Sequence, residues 1–287
     1  MQQIKKFKSE SNVSLNKFKK NKLAVLGCFI IIILVLLCTI APILTKYEYS
    51  TVDLYNISSA PSKEHILGTD DLGRDMFTRL LYGGRVSLQI GIWTAFIQIV
   101  LGVTLGAIAG YFGGIIDSII MRMADIIMCF PFFIIATTMA VVVGPSKRNL
   151  IIILGVLSWT GISRIVRSEV LSLKNLDYIQ AAKTMGLNNF EIITRHILPN
   201  IMSSILVVTT LSVANAILME AALSFLGMGV TPPEPSWGNI LSAAQNMNSL
   251  KYEWWLWMPP GIMILITVLS INFIGEGIRK AIDPKEE

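Results

Sequence analysis

Residues 23–44 read LAVLGCFIIIILVLLCTIAPIL, without a single charge. An α-helix of about 20 apolar residues, rising 1.5 Å per residue, crosses the roughly 30 Å hydrocarbon core of a bilayer. A helix apolar on every side has no face to offer water. In lipid it is also one of only two structures that satisfy every backbone N–H and C=O internally. The run therefore predicts a membrane span, and it sets the reading of the rest of the chain.

Working outward, the same kind of block recurs. Residues 86–116 carry no charge and predict a second span over about 87–110. Asp117, Arg122 and Asp125 form a short polar break. Residues 126–144 predict a third span, kinked at Pro131. A fourth runs from about 150 to 167, closed by Arg164 and Arg167. A fifth covers 201–230 and a sixth 257–278. The expected fold is an all-α polytopic integral membrane protein of about six transmembrane helices. It divides into a basic N-tail (1–22), the first helix (23–45), an outer segment (46–85), a five-helix core (86–278) with a polar connection at 168–199, and a C-tail (279–287).

Composition agrees. Hydrophobic residues make up 53% of the 287 and charged residues 15%, and mean hydropathy is +0.62. A soluble domain carries about 25% charged residues, so this chain lacks the charge to cover a water-facing surface. An ordinary soluble enzyme and a disordered chain are excluded. Cys28, Cys38 and Cys129 sit within or beside apolar runs without a CxxC pair, which excludes a disulfide framework. Six spans leave no room for a large soluble domain, so any energy-converting domain belongs to another polypeptide. The first apolar run is too long for a signal-peptide core and lacks a small-residue cleavage site, so it stays as an anchor. The net charge of +5 reflects basic tails beside membrane spans. No basic stretch interleaved with aromatics offers a nucleic-acid surface.

Residues 1–22 hold seven lysines and one glutamate, with Phe7, Leu15 and Phe18 among them; part of this tail is expected along the membrane surface. With six spans both termini share one side. The tails, residues 113–125 and residues 164–199 together carry sixteen of the 24 Lys and Arg, and the positive-inside rule makes that side cytoplasmic. Lys147-Arg148 is the local exception on the outside.

Gly102, Gly106 and Gly110 recur every four residues on one helical face. In lipid such a stripe lets a neighbouring helix approach closely, as plain helix packing or beside a translocation path. The polar connection holds residues 173–200, LKNLDYIQAAKTMGLNNFEIITRHILPN. Asp177 with Gln180, and Asn188 with Glu191, are spaced as capping boxes, and Gly186 fits the left-handed position that stops a helix. Phe190, Ile193 and Ile197 form an apolar stripe. Two short helices joined by a glycine are expected at the membrane surface, the first with a nearly bald face at Ala181 and Ala182.

The pattern Gln180-Ala181-Ala182-xxx-Gly186 followed by Leu198-Pro199 resembles the EAA loop of ABC importer permeases, with Gln180 in place of the glutamate and His196 in place of isoleucine. Residues 195–200 (RHILPN), 65–75 (HILGTDDLGRD) running on to 82–88 (YGGRVSL), 220–227 (EAALSFLG), Pro232-Pro233, 235–238 (PSWG) and 275–279 (GEGIR) with Asp283-Pro284 resemble the C-type permeases of oligopeptide and dipeptide importers. The resemblance covers nearly the whole chain. It implies a type I importer permease, half of a translocation pore in the bacterial cytoplasmic membrane. A homologous second permease subunit, two ABC ATPase subunits and an extracytoplasmic peptide-binding protein are the implied partners, besides membrane lipid. It assigns ATPase coupling to Asp177, Gln180, Ala181, Ala182, Gly186 and Leu187.

No catalytic, cofactor or metal site is expected in the chain. It has no GxxxxGK[ST] nucleotide loop, so ATP and Mg fall to the partner ATPases, and His65 and His196 lie on opposite membrane sides. His65, Asp70, Asp71 and Asp75 match neither a zinc nor an EF-hand spacing. Thr69 or Asp70 is instead expected to cap a short amphipathic helix, with Leu72, Met76, Leu80 and Phe77 on the outer membrane surface. Glu220 is the one carboxylate well inside a predicted span, a functional candidate by default. Two readings stand: it lines the pathway and meets a peptide amine, or it hydrogen-bonds another helix end. Trp237, Trp254, Trp255 and Trp257 read as an interfacial belt. Rival functions are a nickel or metal-chelate importer of the same class and an ion-coupled secondary transporter, which should show midplane carboxylates or broken helices.

Overall fold

The computed structural model describes residues 17–282, so most of the basic tail, residues 1–16, and the Asp283-Pro284 motif lie outside it. Helix α1 is Lys22–Thr39, capped by Asn21, whose Oδ1 accepts from the Leu23 and Ala24 N–H groups at 3.2 and 3.3 Å. Helix α2 is Met76–Phe112, α3 Gly114–Cys129 and α4 Phe132–Val143. Helices α5 (Lys147–Leu157) and α6 (Trp159–Leu173) are separated only by Ser158. Helix α7 is Asp177–Thr184, α8 Leu198–Phe225, α9 Trp237–Leu241 and α10 Trp254–Ile282. Among the described residues the only β pairing is an isolated bridge between Thr69 and Asp75. Among the described residues five helices are long and apolar enough to cross a membrane, or six if α3 and α4, bent by 88°, count as one span. The bend falls at Phe130-Pro131, where proline can neither donate to the ladder nor leave the preceding residue helical.

Helix α2 is the centre of the bundle and touches α1, α5, α6 and α8. Its glycine stripe faces α6. A Cβ at Gly102 would stand 2.6 Å from Ile162 Cβ, at Gly106 2.5 Å from the Ser163 carbonyl oxygen, and at Gly110 2.8 Å from Val170 Cβ. The two backbones therefore approach more closely than any side chain would allow, the contact by which helices pack in lipid. At the other end, Gly84 does the same for α1 and α9, where a Cβ would meet Cys38 Sγ and the Trp237 ring.

Two expectations are corrected here. The outer segment forms turns rather than an amphipathic helix capped at Thr69 or Asp70, and α2 begins at Met76, about eleven residues before the predicted span. The reason is where the acids are used. Asp75 caps α2 through Oδ2, which accepts from Thr78 N–H and Oγ1–H at 2.8 and 2.7 Å, and its Oδ1 lies 2.9 Å from His65 Nδ1. Asp70 Oδ2 holds Arg74 Nε at 2.7 Å and Arg79 Nε at 3.3 Å. Met76 and Leu80 thus fall in the first turns of α2 and face inward, 1% and 7% exposed. The tryptophan belt is corrected in part. Trp237 and Trp255 are buried, their Nε1–H groups donating to the Leu80 and Thr69 carbonyls at 3.0 and 3.2 Å, while Trp254 remains half-exposed. Nearby, Asn56 Nδ2–H and the Tyr55 N–H donate to Asp53 and hold its carboxyl below the usual carboxylate range.

Candidate functional site: the connection between α6 and α8

Helix α6 ends at Leu173, and Lys174 turns its Nζ back to the Gly110 carbonyl at 2.9 Å. Helix α7 follows with Leu176 at its N-cap, a residue without a capping side chain. The expected Asp177–Gln180 box is therefore absent. Asp177 is instead the first-turn acid, favoured by the helix dipole, and Gln180 Nε2 donates to the Lys174 carbonyl at 2.9 Å. The glutamine so ties α7 to the end of α6.

Ile179 and Ala182 are the buried residues of α7. They join an apolar cluster with Ala107 of α2, Val166 and Val170 of α6, and Ile192, Ile197 and Ile201 around the start of α8. The opposite face, with Asp177, Tyr178, Gln180, Ala181, Lys183 and Thr184, is exposed. Consecutive helical residues point about 100° apart, so the two alanines do not share a face. Ala182 seats the helix and Ala181 alone offers a bald spot outward.

Gly186 has φ +83°, the left-handed conformation that a side chain resists. Its N–H donates to the Lys183 carbonyl at 3.1 Å, and the Leu187 N–H to the Ala182 carbonyl at 3.3 Å. That pair is a Schellman stop, and Leu187 packs on the same cluster. Asn188 and Glu191 form the second box: Asn188 Oδ1 accepts from the Glu191 N–H at 2.8 Å, and Glu191 Oε2 from the Asn188 N–H at 3.3 Å. Residues Ile192–Ile197 are π-helical, with the Leu198 N–H donating to the Ile193 carbonyl. Pro199 lacks an N–H and crowds the carbonyl four residues back, and the wider turn relieves that crowding. Ile197 of the predicted stripe is buried, whereas Phe190 is 74% exposed. With Met185 (80% exposed), Tyr178 and Leu176 it gives this end of the molecule an apolar, open surface.

The surface is wired to the spans. Tyr111 Oη donates to Asn189 Oδ1 at 2.9 Å, and Ser204 Oγ to Glu169 Oε1 at 3.0 Å. Arg167 grips Asp117 with two nitrogens, and Arg164 NH2 reaches Asp125 at 2.5 Å. Helix α6 is thus bonded to α3 on one side and to the base of α8 on the other. The sequence offered no signal for these pairs, whose members stand 39 to 78 positions apart for three of the four.

Glu220 lies far from this surface, 22 residues along from the start of α8, or about 33 Å of helix. It is fully buried. Oε2 accepts from Ser87 Oγ at 2.9 Å and Oε1 from Ser224 Oγ at 2.7 Å, while Ser87 Oγ also accepts from the Trp237 N–H at 3.1 Å. A cavity of about 460 Å³ opens nearby, with Arg74, Arg79, Ser224, Asn239 and Gln245 in its wall; Glu220 does not line it.

Two family models match: residues 102–287 fit the binding-protein-dependent transport system inner membrane component, and residues 12–61 the N-terminal transmembrane domain of oligopeptide transport permease C. The chain is 43% identical to the dipeptide transport system permease protein DppC of Alkalihalophilus pseudofirmus, over 94% of this chain and 88% of that one. It is 42% identical, over the same shares, to the oligopeptide transport system permease protein OppC of Bacillus subtilis. Its fold is similar to a chain of the inward-facing MetNI methionine ABC transporter, at a TM-score of 0.60 and 20% identity, covering 72% of this chain and 98% of that one. A helix propped outward on the ends of long apolar spans is thus found in a chain whose sequence and fold agree on one assignment: it belongs to the family of binding-protein-dependent transport system inner membrane components.

Proposed function

We propose that the chain is the membrane-spanning subunit of an ATP-driven importer of dipeptides or oligopeptides. It forms half of the pore beside a homologous permease, with two ATPase subunits against α7 and a peptide-binding protein on the opposite side of the membrane. The observation that carries this reading is α7 itself. It is braced from within by Ile179 and Ala182, while Asp177, Gln180, Ala181 and Gly186 are exposed on its outer side. ATP and Mg belong to the ATPases. Closure of those subunits pushes on α7, and the hydrogen bonds from Lys174 and Gln180 pass the displacement to α2 and α6. The termini and α7 share the cytoplasmic side, as the distribution of Lys and Arg implies.

Peptide cargo is preferred over nickel or a metal chelate because the named relatives are peptide permeases. An ion-coupled transporter is disfavoured by the family. The deciding experiment is uptake of a labelled dipeptide by the reconstituted complex. Uptake should require ATP, survive an uncoupler, and yield a cross-link from a cysteine placed at Ala181 to an ATPase subunit. Uptake that collapses with the proton gradient while ATP is held constant would sink the reading.

A further inference from the structure

Lys147-Arg148 breaks the charge asymmetry of the chain, since it places two cations at the end of the membrane opposite α7. The structure puts them at the mouth of an open groove of about 450 Å³ between α2 and α5, lined by Gln89, Trp93, Ile97, Lys147, Arg148 and the Ile151-Ile152 pair. We propose that this groove holds one anionic diacyl phospholipid of the outer leaflet, its phosphate on Arg148 and Arg85 and an acyl chain in the trough beneath.

Three observations carry the assignment. The first is charge. Lys147 is engaged by Glu234, Nζ to Oε1 at 3.2 Å. Arg148 and Arg85 are exposed, and among the described residues neither forms an ion pair or a side-chain hydrogen bond. No Asp or Glu lines the groove. Two free guanidinium groups remain, and a guanidinium matches a phosphate in a bidentate fashion.

The second is shape. Gln89, Trp93 and Ile97 line the groove at four-residue spacing along α2, and Arg85 stands one turn before Gln89. From Arg85 to Ile97 the helix rises about 18 Å, close to the roughly 15 Å depth of one leaflet's hydrocarbon, half of the whole core. The groove is cationic at its mouth, amphipathic at Trp93, and apolar below at Ile97, Ile151 and Ile152. Phospholipid has the same order of groups.

The third is the floor. A Cβ at Gly155 would stand 2.7 Å from Ile97 Cβ, so α2 and α5 close on each other there and the trough ends at about the depth where a leaflet ends. Trp93 and Ile152 remain 55% and 44% exposed along the walls, which leaves room for a chain between them.

The site rests on the membrane orientation proposed above but not on the cargo, and its test does not read transport. The complete transporter complex, purified in detergent, is titrated with dioleoyl phosphatidylglycerol and with dioleoyl phosphatidylcholine and followed by native mass spectrometry. One phosphatidylglycerol per copy of this chain should persist, in preference to phosphatidylcholine. The double variant R85Q/R148Q should weaken that binding about tenfold, and R85K/R148K, which keeps the charge, should retain most of it. Equal retention of the two lipids, or unchanged binding in R85Q/R148Q, would overturn the proposal. So would a cysteine at Ile152 that cross-links efficiently to the companion permease, because a protein would then fill the groove. Loss of ATP-dependent uptake with lipid binding intact counts against the transport reading alone.

Discussion

Ser87 and Glu220 stand 133 positions apart in sequence, yet Ser87 Oγ donates to the Glu220 carboxylate at 2.9 Å and accepts from the Trp237 N–H at 3.1 Å. One hydroxyl so links α2, α8 and α9 where all three residues are fully buried. Ser87→Ala removes a donor to one buried group and the acceptor of another. Each loss costs about 1–3 kcal/mol, so the purified chain should unfold at a clearly lower temperature in detergent. Glu220→Gln, which keeps an acceptor for one serine and offers an N–H to the hydroxyl oxygen of the other, should be much milder than Glu220→Leu. If Gln and Leu are equally harmful to uptake while both fold normally, the carboxylate has a role in the path beyond these bonds.

The α2–α6 contact predicts a graded response to volume. Gly106→Ala sets a methyl against the Ser163 carbonyl and within 2.9 Å of Val166 Cβ, and overpacking of this kind costs about 1–3 kcal/mol. Gly161, on the same α6 but with open space around its Cα, should accept alanine with little change. Thermal unfolding of the two variants side by side checks this.

The two alanines of α7 should separate coupling from folding. Ala181→Trp adds bulk on the exposed face, so the chain should insert and fold normally while ATP-driven uptake is lost and hydrolysis continues. Ala182→Trp forces the same bulk into the cluster with Val166 and Ile192 and should lower the yield of folded protein. Size-exclusion profiles and ATPase-to-uptake ratios distinguish them.

Gly186→Ala retains every contact but forces a side chain to φ +83°, at a cost of about 1–2 kcal/mol. The Schellman stop should loosen, with faster amide exchange at Gly186 and Leu187 and reduced coupling. Gly186→Asn, tolerant of that conformation, should recover most of the loss.

Arg167 and Asp117 should behave as a pair. Arg167→Glu should impair uptake, and combination with Asp117→Arg should restore part of it. The pair is partly exposed, at 33% and 16%, so its own contribution is modest, about 1 kcal/mol or less. Failure of the double swap to improve on either single change would show that this pair does not help to hold α3 against α6.

The spans were legible because a bilayer asks one simple thing of a helix, and 23–44 or 257–278 answer it in composition. The stop at Gly186 and the Asn188–Glu191 box were legible because they are local. What escaped was decided across the chain. The acids of the outer segment looked like caps for a helix of their own, but Asp75 starts α2 and Asp70 is taken by Arg74 and Arg79, partners that spacing alone does not choose. Trp237 and Trp255 looked interfacial because tryptophan often is, whereas carbonyls of Leu80 and Thr69 give their N–H groups a place inside. The bald face of α7 failed for a geometric reason, since neighbours on a helix cannot point the same way.

Helix α2 runs unbroken for 37 residues, about 55 Å, fastened by Asp75 among the outer turns and by Tyr111 to Asn189 beside α7. Neither end can be displaced alone. A tilt of only about 5° about its middle would swing each tip by roughly 2.5 Å over that length, in opposite directions. The chain therefore carries a rigid see-saw through its centre: a push received at the α7 end arrives at the Asp75 end as an equal and contrary step, with no intermediate part that has to deform.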